Sequence, residues 1–218
     1  MISFEHVSFS FADELIFHDL NLTIPHASFT GIVGANGAGK TTLIRLLLGL
    51  LKPSEGKIVN DEKKIAYVSQ TTSLSDSSFP ATVKEVVRLG LVGKKPQLFL
   101  SHEDKQKLND VLAEFGLTAL RKSLVNELSG GQLQRVKIAK AVIGSPSMIV
   151  LDEPDAGMDH ESHDKLIELI VALHEKRGAG VIFISHHLHD LERADMVYEV
   201  RDRGVFPYSE KEGEHVAL

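Results

Sequence analysis

Hydrophobic positions recur at every second residue near the start of the chain: Ile2 and Phe4, then Val7, Phe9 and Phe11, and after a turn Leu20, Leu22 and Ile24. Period-two spacing in aromatic and β-branched residues predicts antiparallel strands with one buried face. Three later segments, 31–33, 148–151 and 181–184, are apolar without alternation. That pattern predicts central parallel strands covered on both faces. Helical spacing is legible at Leu43, Leu46, Leu47 and Leu50, and again at Leu166, Leu169, Ile170 and Leu173. Strands alternating with helices predict an α/β core.

The middle of the chain differs in kind. From about 82 to 144 almost every pattern is helical, with Leu108, Val111, Leu112 and Phe115 marking one apolar face. Thr82 with Glu85, and Ser101 with Asp104, have the spacing of capping boxes, in which each end satisfies a backbone donor of the other. The expected organisation is one domain over 1–218: a core of about 1–80 and 146–218, interrupted by a helical subdomain at about 81–145. Residues 201–218 are polar and predict a short strand and a loose tail. No internal repeat stands out.

Composition narrows the function classes. The chain has 218 residues and no cysteine, which excludes a disulfide scaffold and a thiolate metal site. Its 24 basic and 30 acidic side chains give a net charge of −6, against a main role in gripping nucleic-acid backbone. No apolar stretch approaches the roughly 20 residues that span a bilayer, and no secretory signal is visible at the N-terminus. A soluble, intracellular-type globular chain is expected.

The chemistry enters at Gly34-Ala-Asn36-Gly37-Ala-Gly39-Lys40-Thr41, followed by Thr42, between a predicted strand and a predicted helix. Glycines let successive N–H groups point at phosphate oxygens, and the helix aims its positive end at the same place. Lys40 is then set to neutralise β- and γ-phosphate charge, and the Thr41 hydroxyl to ligate Mg²⁺. The bland alternative is a Gly-rich turn with a surface lysine. Farther on, the apolar strand at 148–151 runs into Asp152 and Glu153, at the sheet end where ligands bind in open α/β folds. Successive strand residues point to opposite sides, so Asp152 can serve the Mg²⁺ shell and Glu153 can act as general base. Two solvated acids are the alternative. Leu128-Ser129-Gly130-Gly131-Gln132 opens a helix with Val136, Ala139 and Ile143 inward. It is either a second anion site, used by another copy of the chain, or a Ser N-cap before a flexible turn.

The P-loop, Leu-Ser-Gly-Gly-Gln and Leu-Asp-Glu-Pro, in this order, resemble the ATPase subunit of an ATP-binding cassette (ABC) transporter over essentially the whole chain. The resemblance implies a P-loop NTPase core with an antiparallel β subdomain and an inserted helical subdomain. It also implies a head-to-tail homodimer, with two MgATP held between the P-loop of one copy and Ser129 to Gln132 of the other. By the same resemblance Gln70 touches Mg²⁺ and the attacking water, His186 contacts the γ-phosphate, Asp159 couples the two sites, and Phe11 stacks on adenine. Stacking needs only the ring face, although Phe11 also fits an ordinary core aromatic.

The form Glu153-Pro-x-x-Gly-x-Asp159, and Ser78-Phe-Pro-Ala-Thr-Val83 after Gln70, are similar to zinc and manganese importers. The implied partners are a multi-spanning permease, met by the helical subdomain and the segment after Gln70, and indirectly an extracytoplasmic solute-binding protein. No nucleic acid is expected. The implied location is the cytoplasmic face of the inner or plasma membrane. The alternatives are the same ATPase role for iron chelate, haem or another small nutrient, and a non-transport ABC protein acting on DNA or ribosomes. His186, His187 and His189 cluster; His187 and His189 read as exposed helix-start residues, with a regulatory metal site as the alternative.

Overall fold

The structure, a computed structural model, describes residues 1–12, 14–69, 80–91, 100–155 and 158–209. In chain order the elements are β1 (Ile2–Phe11), β2 (Glu14–Ile24), β3 (Phe29–Val33), α1 (Lys40–Leu47), β4 (Glu55–Asn60), β5 (Ile65–Val68), α2 (Val83–Arg88), α3 (His102–Glu114), α4 (Gly130–Val142), β6 (Met148–Asp152), α5 (His160–Arg177), β7 (Gly180–Ile184), β8 (Met196–Arg201) and β9 (Gly204–Pro207). The class is mixed α/β. Two compact units form, one from residues before Lys64 together with those from Gly180 onward, the other from Lys64–Ala179.

In the first unit β1 lies between β2 and β4 and is antiparallel to both. The spacing of three between Phe4 and Val7 breaks the period of two, and a bulge absorbs it: His6 has φ 52°, and the register against β2 shifts between Phe4 and Val7. Gly56 of β4 faces this bulge at φ 76°, where a Cβ would stand 2.2 Å from the His6 carbonyl oxygen. Only glycine fits there. The hydrophobic pattern misses β4, an edge strand paired with β1 alone, whose residues are mostly exposed.

The same unit holds the strand order β7-β3-β8-β9. Strand β3 runs parallel to β7 and β8, and β8 and β9 form an antiparallel hairpin. Every residue of β3 and β7 is buried, as unalternated apolar runs predict. Helix α1 buries Leu43, Ile44, Leu46 and Leu47. It stops at Leu47, so Leu50 does not continue the apolar face as its spacing predicts; it is exposed. The stop is a Schellman turn: Gly49 at φ 69° donates to Leu46 O at 3.0 Å, and Leu50 N donates to Arg45 O at 2.8 Å.

The second unit pairs β5 parallel with β6, from Ile65 opposite Met148 to Val68 opposite Leu151, and β6 is buried throughout. Both predicted capping boxes are present, on α2 and α3. Helix α4 buries Val136, Ala139 and Val142, and α5 buries Leu166, Ile170 and Leu173. Among the described residues no helix is long and apolar enough to cross a membrane.

Candidate functional site

The first unit carries the P-loop. Strand β3 delivers the chain at Val33, and Gly39 at φ 108° turns it into α1. Gly39 supplies no side-chain cap and the first turn of α1 holds no acidic residue. The helix therefore presents its first N–H groups and its positive dipole end to the loop. Lys40, only 6% exposed, folds back so that Nζ donates to Gly34 O at 2.7 Å and Ala35 O at 3.1 Å. Its ammonium is thereby held inside the loop rather than in bulk water. Asn36, Gly37 and Thr41 are exposed, and Thr42 is half-buried.

His186 follows β7 in the same unit. Its turn is anchored by a residue pair that no motif announced: Ser185 Oγ donates to the buried Asp190 Oδ2 at 2.6 Å, and His187 N donates to Ser185 Oγ at 2.9 Å. The exposed His186 and the P-loop residues Gly34, Ala35 and Ala38 line one cavity of about 610 Å³. His187 and His189 are exposed at the start of a short 3-10 turn, their ring centroids 5.6 Å apart. Phe11 ends β1 and is 43% exposed, whereas Phe9 is 6% exposed; the rings meet edge to face at 4.8 Å. The core position belongs to Phe9, and Phe11 offers a ring to the surface.

The second unit carries the carboxylates. Asp152 is the last residue of β6 and is 5% exposed. Its Oδ2 accepts from Tyr67 Oη at 2.9 Å, across the β5–β6 pair. Tyr67 went unnoticed in the sequence because its role depends on strand register, which leaves no local signature. Glu153 has φ 47°, in the left-handed region. It leaves the strand by this backbone turn, so its direction is not set by the strand alternation expected from sequence. A non-glycine residue held there stores on the order of 1–3 kcal/mol of strain.

Ser129 is the N-cap of α4: Oγ accepts from Gln132 N at 3.3 Å, and Gln132 Oε1 accepts from Ser129 N at 3.0 Å. This box consumes the N–H of Gln132 and not those of Gly130 and Gly131, which point past the helix end. A Cβ on Gly130 would meet nothing within 4 Å, whereas one on Gly131 would lie 3.2 Å from Met158 Cε and from Ser162 Cβ and Oγ. Residues 129–132 thus pack against the start of α5. Asp159 caps that helix, accepting from Ser162 N at 2.9 Å and Ser162 Oγ at 2.8 Å. These bonds from Ser162 hold its carboxyl below the usual aspartate value. Gln70 and the segment's Ser78 and Phe79 lie outside the described residues; Thr82 and Val83 begin α2.

A loop that wraps a lysine at a helix start, following a buried parallel strand, is built for phosphate. A profile of the family described as "ABC transporter" matches residues 17–156. The chain belongs to the ABC transporter family. It is an ATP-binding, ATP-hydrolysing cassette. It is 35% identical over 227 residues to the zinc uptake system ATP-binding protein ZurA of Listeria innocua, covering 99% of this chain and 88% of that one. It is also 35% identical over 190 residues to the zinc import ATP-binding protein ZnuC of Pseudomonas entomophila, covering 87% of the cassette and 70% of the relative. Among solved structures, the dimeric ATP-binding cassette MJ0796 with ADP and phosphate superposes with a TM-score of 0.78 at 26% identity, over 94% of this cassette and 96% of that chain.

Proposed function

We propose that the cassette drives import of a metal cation, zinc or manganese, through separate membrane subunits. The observation that carries the cargo class is the 35% identity, over nearly the whole chain, to a zinc uptake system ATP-binding protein. In this reading the chain is one nucleotide-binding domain, a core of about 1–80 and 146–218 with a helical subdomain at about 81–145. Residues 34–42 cradle the phosphates, Lys40 neutralises them, and Phe11 stacks on adenine. Glu153 takes the proton from the attacking water, His186 contacts the γ-phosphate, and Gln70 positions the water.

Two chains pair head to tail, so that Ser129, Gly130, Gly131 and Gln132 of one complete the site of the other and Asp159 links the two. The uncommitted N–H groups of Gly130 and Gly131 support this role, because a γ-phosphate is the acceptor they suit. Thr41, Asp152 and Gln70 would hold Mg²⁺. Oxygen donors are the ligands that ion takes, and Asp152, buried and steadied by Tyr67, fits a hard cation. When bound there, the ion would supply charge neutralisation for the phosphates.

A multi-spanning permease holds the cassette at the cytoplasmic face of the inner or plasma membrane, and a solute-binding protein outside delivers cargo to that permease. No nucleic acid takes part. The test is a pull-down from native membranes with this chain as bait, paired with metal analysis of cells lacking it. A multi-spanning partner, with zinc or manganese alone depleted, is the expected result. A partner with unchanged metal content overturns the cargo, and no membrane partner overturns the transport role.

A further inference from the structure

Three side chains at the start of α5 have no part in nucleotide chemistry. His160, His163 and Asp164 occupy positions i, i+3 and i+4, which helical geometry stacks on one face. Asp164 Oδ1 lies 3.4 Å from His160 Nδ1 and 3.4 Å from His163 Nδ1. Among the described residues these three offer ligand atoms that all lie within 4.8 Å of one another.

The distances match a particular coordination. A tetrahedral ion with bonds of about 2.0–2.1 Å has ligand atoms about 3.4 Å apart along each edge. Two of the three edges already have that length. The third is no longer than 4.8 Å, and His160 is exposed. A second observation points the same way. His163, its side chain 12% exposed, has its other nitrogen Nε2 3.4 Å from Asp155 Oδ2, itself 13% exposed. The contact is a close ion pair and not an aligned hydrogen bond, and a carboxylate in that place is the common outer partner of a metal-bound histidine. The neighbouring Lys165 is drawn aside to Glu161 Oε1 at 2.5 Å, so its charge is answered locally.

We propose that His160, His163 and Asp164 form a surface site for a divalent transition metal of the zinc class, with Asp155 orienting His163. Two imidazoles and one carboxylate suit zinc and its neighbours and not Mg²⁺, which takes oxygen ligands and demands an octahedron. The site lies beside Asp159, and Asp155 stands two residues past Glu153. A bound ion therefore ties the residue that leaves the catalytic carboxylate to the first turns of α5. This site belongs to the chain itself and does not depend on what the transporter carries.

The test is zinc binding to the full nucleotide-free chain, free of any histidine tag, by competition with a chromophoric chelator in millimolar Mg²⁺. Co²⁺ serves as the spectroscopic probe. One zinc ion per chain is expected, with the intense visible absorption of tetrahedral cobalt. His160→Ala and Asp164→Ala, both at exposed positions, should weaken binding at least tenfold and remove that absorption. Asp155→Asn should weaken it by about 10–100-fold, the usual effect of losing an outer partner. His187→Ala, at an exposed position outside the cluster, should change nothing. Absence of zinc binding by the unaltered chain, wild-type affinity in His160→Ala and Asp164→Ala, or loss of binding in His187→Ala instead, each overturns the proposal.

Discussion

The hydroxyl of Tyr67 donates to Asp152 Oδ2 across 2.9 Å, joining the middle of β5 to the end of β6. A hydrogen bond to a charged, buried acceptor contributes about 1.5–3 kcal/mol. Tyr67→Phe keeps the ring and removes only this donor. Its free energy of unfolding, read from the guanidinium midpoint at unchanged slope, should fall by that amount. ATPase activity should become more demanding of Mg²⁺, since Asp152 is then less firmly placed; an unchanged Mg²⁺ dependence would count against a metal role for Asp152.

Glu153→Gln keeps the size of the side chain and removes the carboxylate that the proposed function uses as base. Turnover should fall by about 10²–10⁴-fold, the usual contribution of a positioned general base. Nucleotide binding should survive. Size-exclusion chromatography with ATP and Mg²⁺ should then show a dimer that ADP does not support, and a protein that stays monomeric would contradict the head-to-tail arrangement.

Gly130 and Gly131 separate fold from function. Gly130→Ala meets nothing within 4 Å, so stability should stay within about 0.5 kcal/mol of the parent. ATPase activity should nevertheless drop about tenfold or more, equivalent to the loss of about 1.4 kcal/mol of transition-state contact. Parent-like activity in a well-folded Gly130→Ala would remove the second phosphate site from consideration.

Gly56 and Gly49 share a left-handed backbone, at φ 76° and 69°, but differ in surroundings. Gly49→Ala enters open space and should cost about 1 kcal/mol, the backbone penalty alone. Gly56→Ala drives a Cβ to 2.2 Å from the His6 carbonyl and should cost more than about 3 kcal/mol. Equal losses in the two variants, read by chemical denaturation, would mean that the bulge yields.

Asp159 bonds to Ser162 in its charged form, which lowers its folded pKa from the ordinary 3.8. A depressed carboxyl contributes stability that is present above its ordinary value and is lost as pH falls through the folded value. Asn caps helices about as well as Asp. Asp159→Asn should therefore match the parent in melting temperature at pH 6 and lose less than the parent on going to pH 3. Parallel acid loss in both proteins would assign that slope to other carboxylates.

Much of this was legible in the chain alone. A buried parallel strand announces itself by an unbroken apolar run, and β3, β6 and β7 appear where those runs stand. Caps are local chemistry, so Thr82 with Glu85 and Ser101 with Asp104 could be read from spacing alone. The P-loop is likewise contiguous, because one turn of backbone must supply most of the donors. What escaped was whatever depends on partners distant in sequence. Strand β4, an exposed edge with little hydrophobic pattern, is placed by its pairing with β1; the end of α1 is instead a local signal, Gly49 closing a Schellman turn, that the leucine spacing obscured.

Sequence by itself determined the class of chemistry, since phosphate binding and a strand-end carboxylate pair are written in adjacent residues. Only the tertiary structure decided which atoms steady that chemistry. Tyr67 reaches Asp152 over 85 positions of chain, Asp155 meets His163 across a helix start, and Phe9 takes the buried place that leaves Phe11 at the surface. The physical reason is range: a hydrogen-bond or packing partner is chosen by strand register and helix rotation, and neither is encoded at the position it serves.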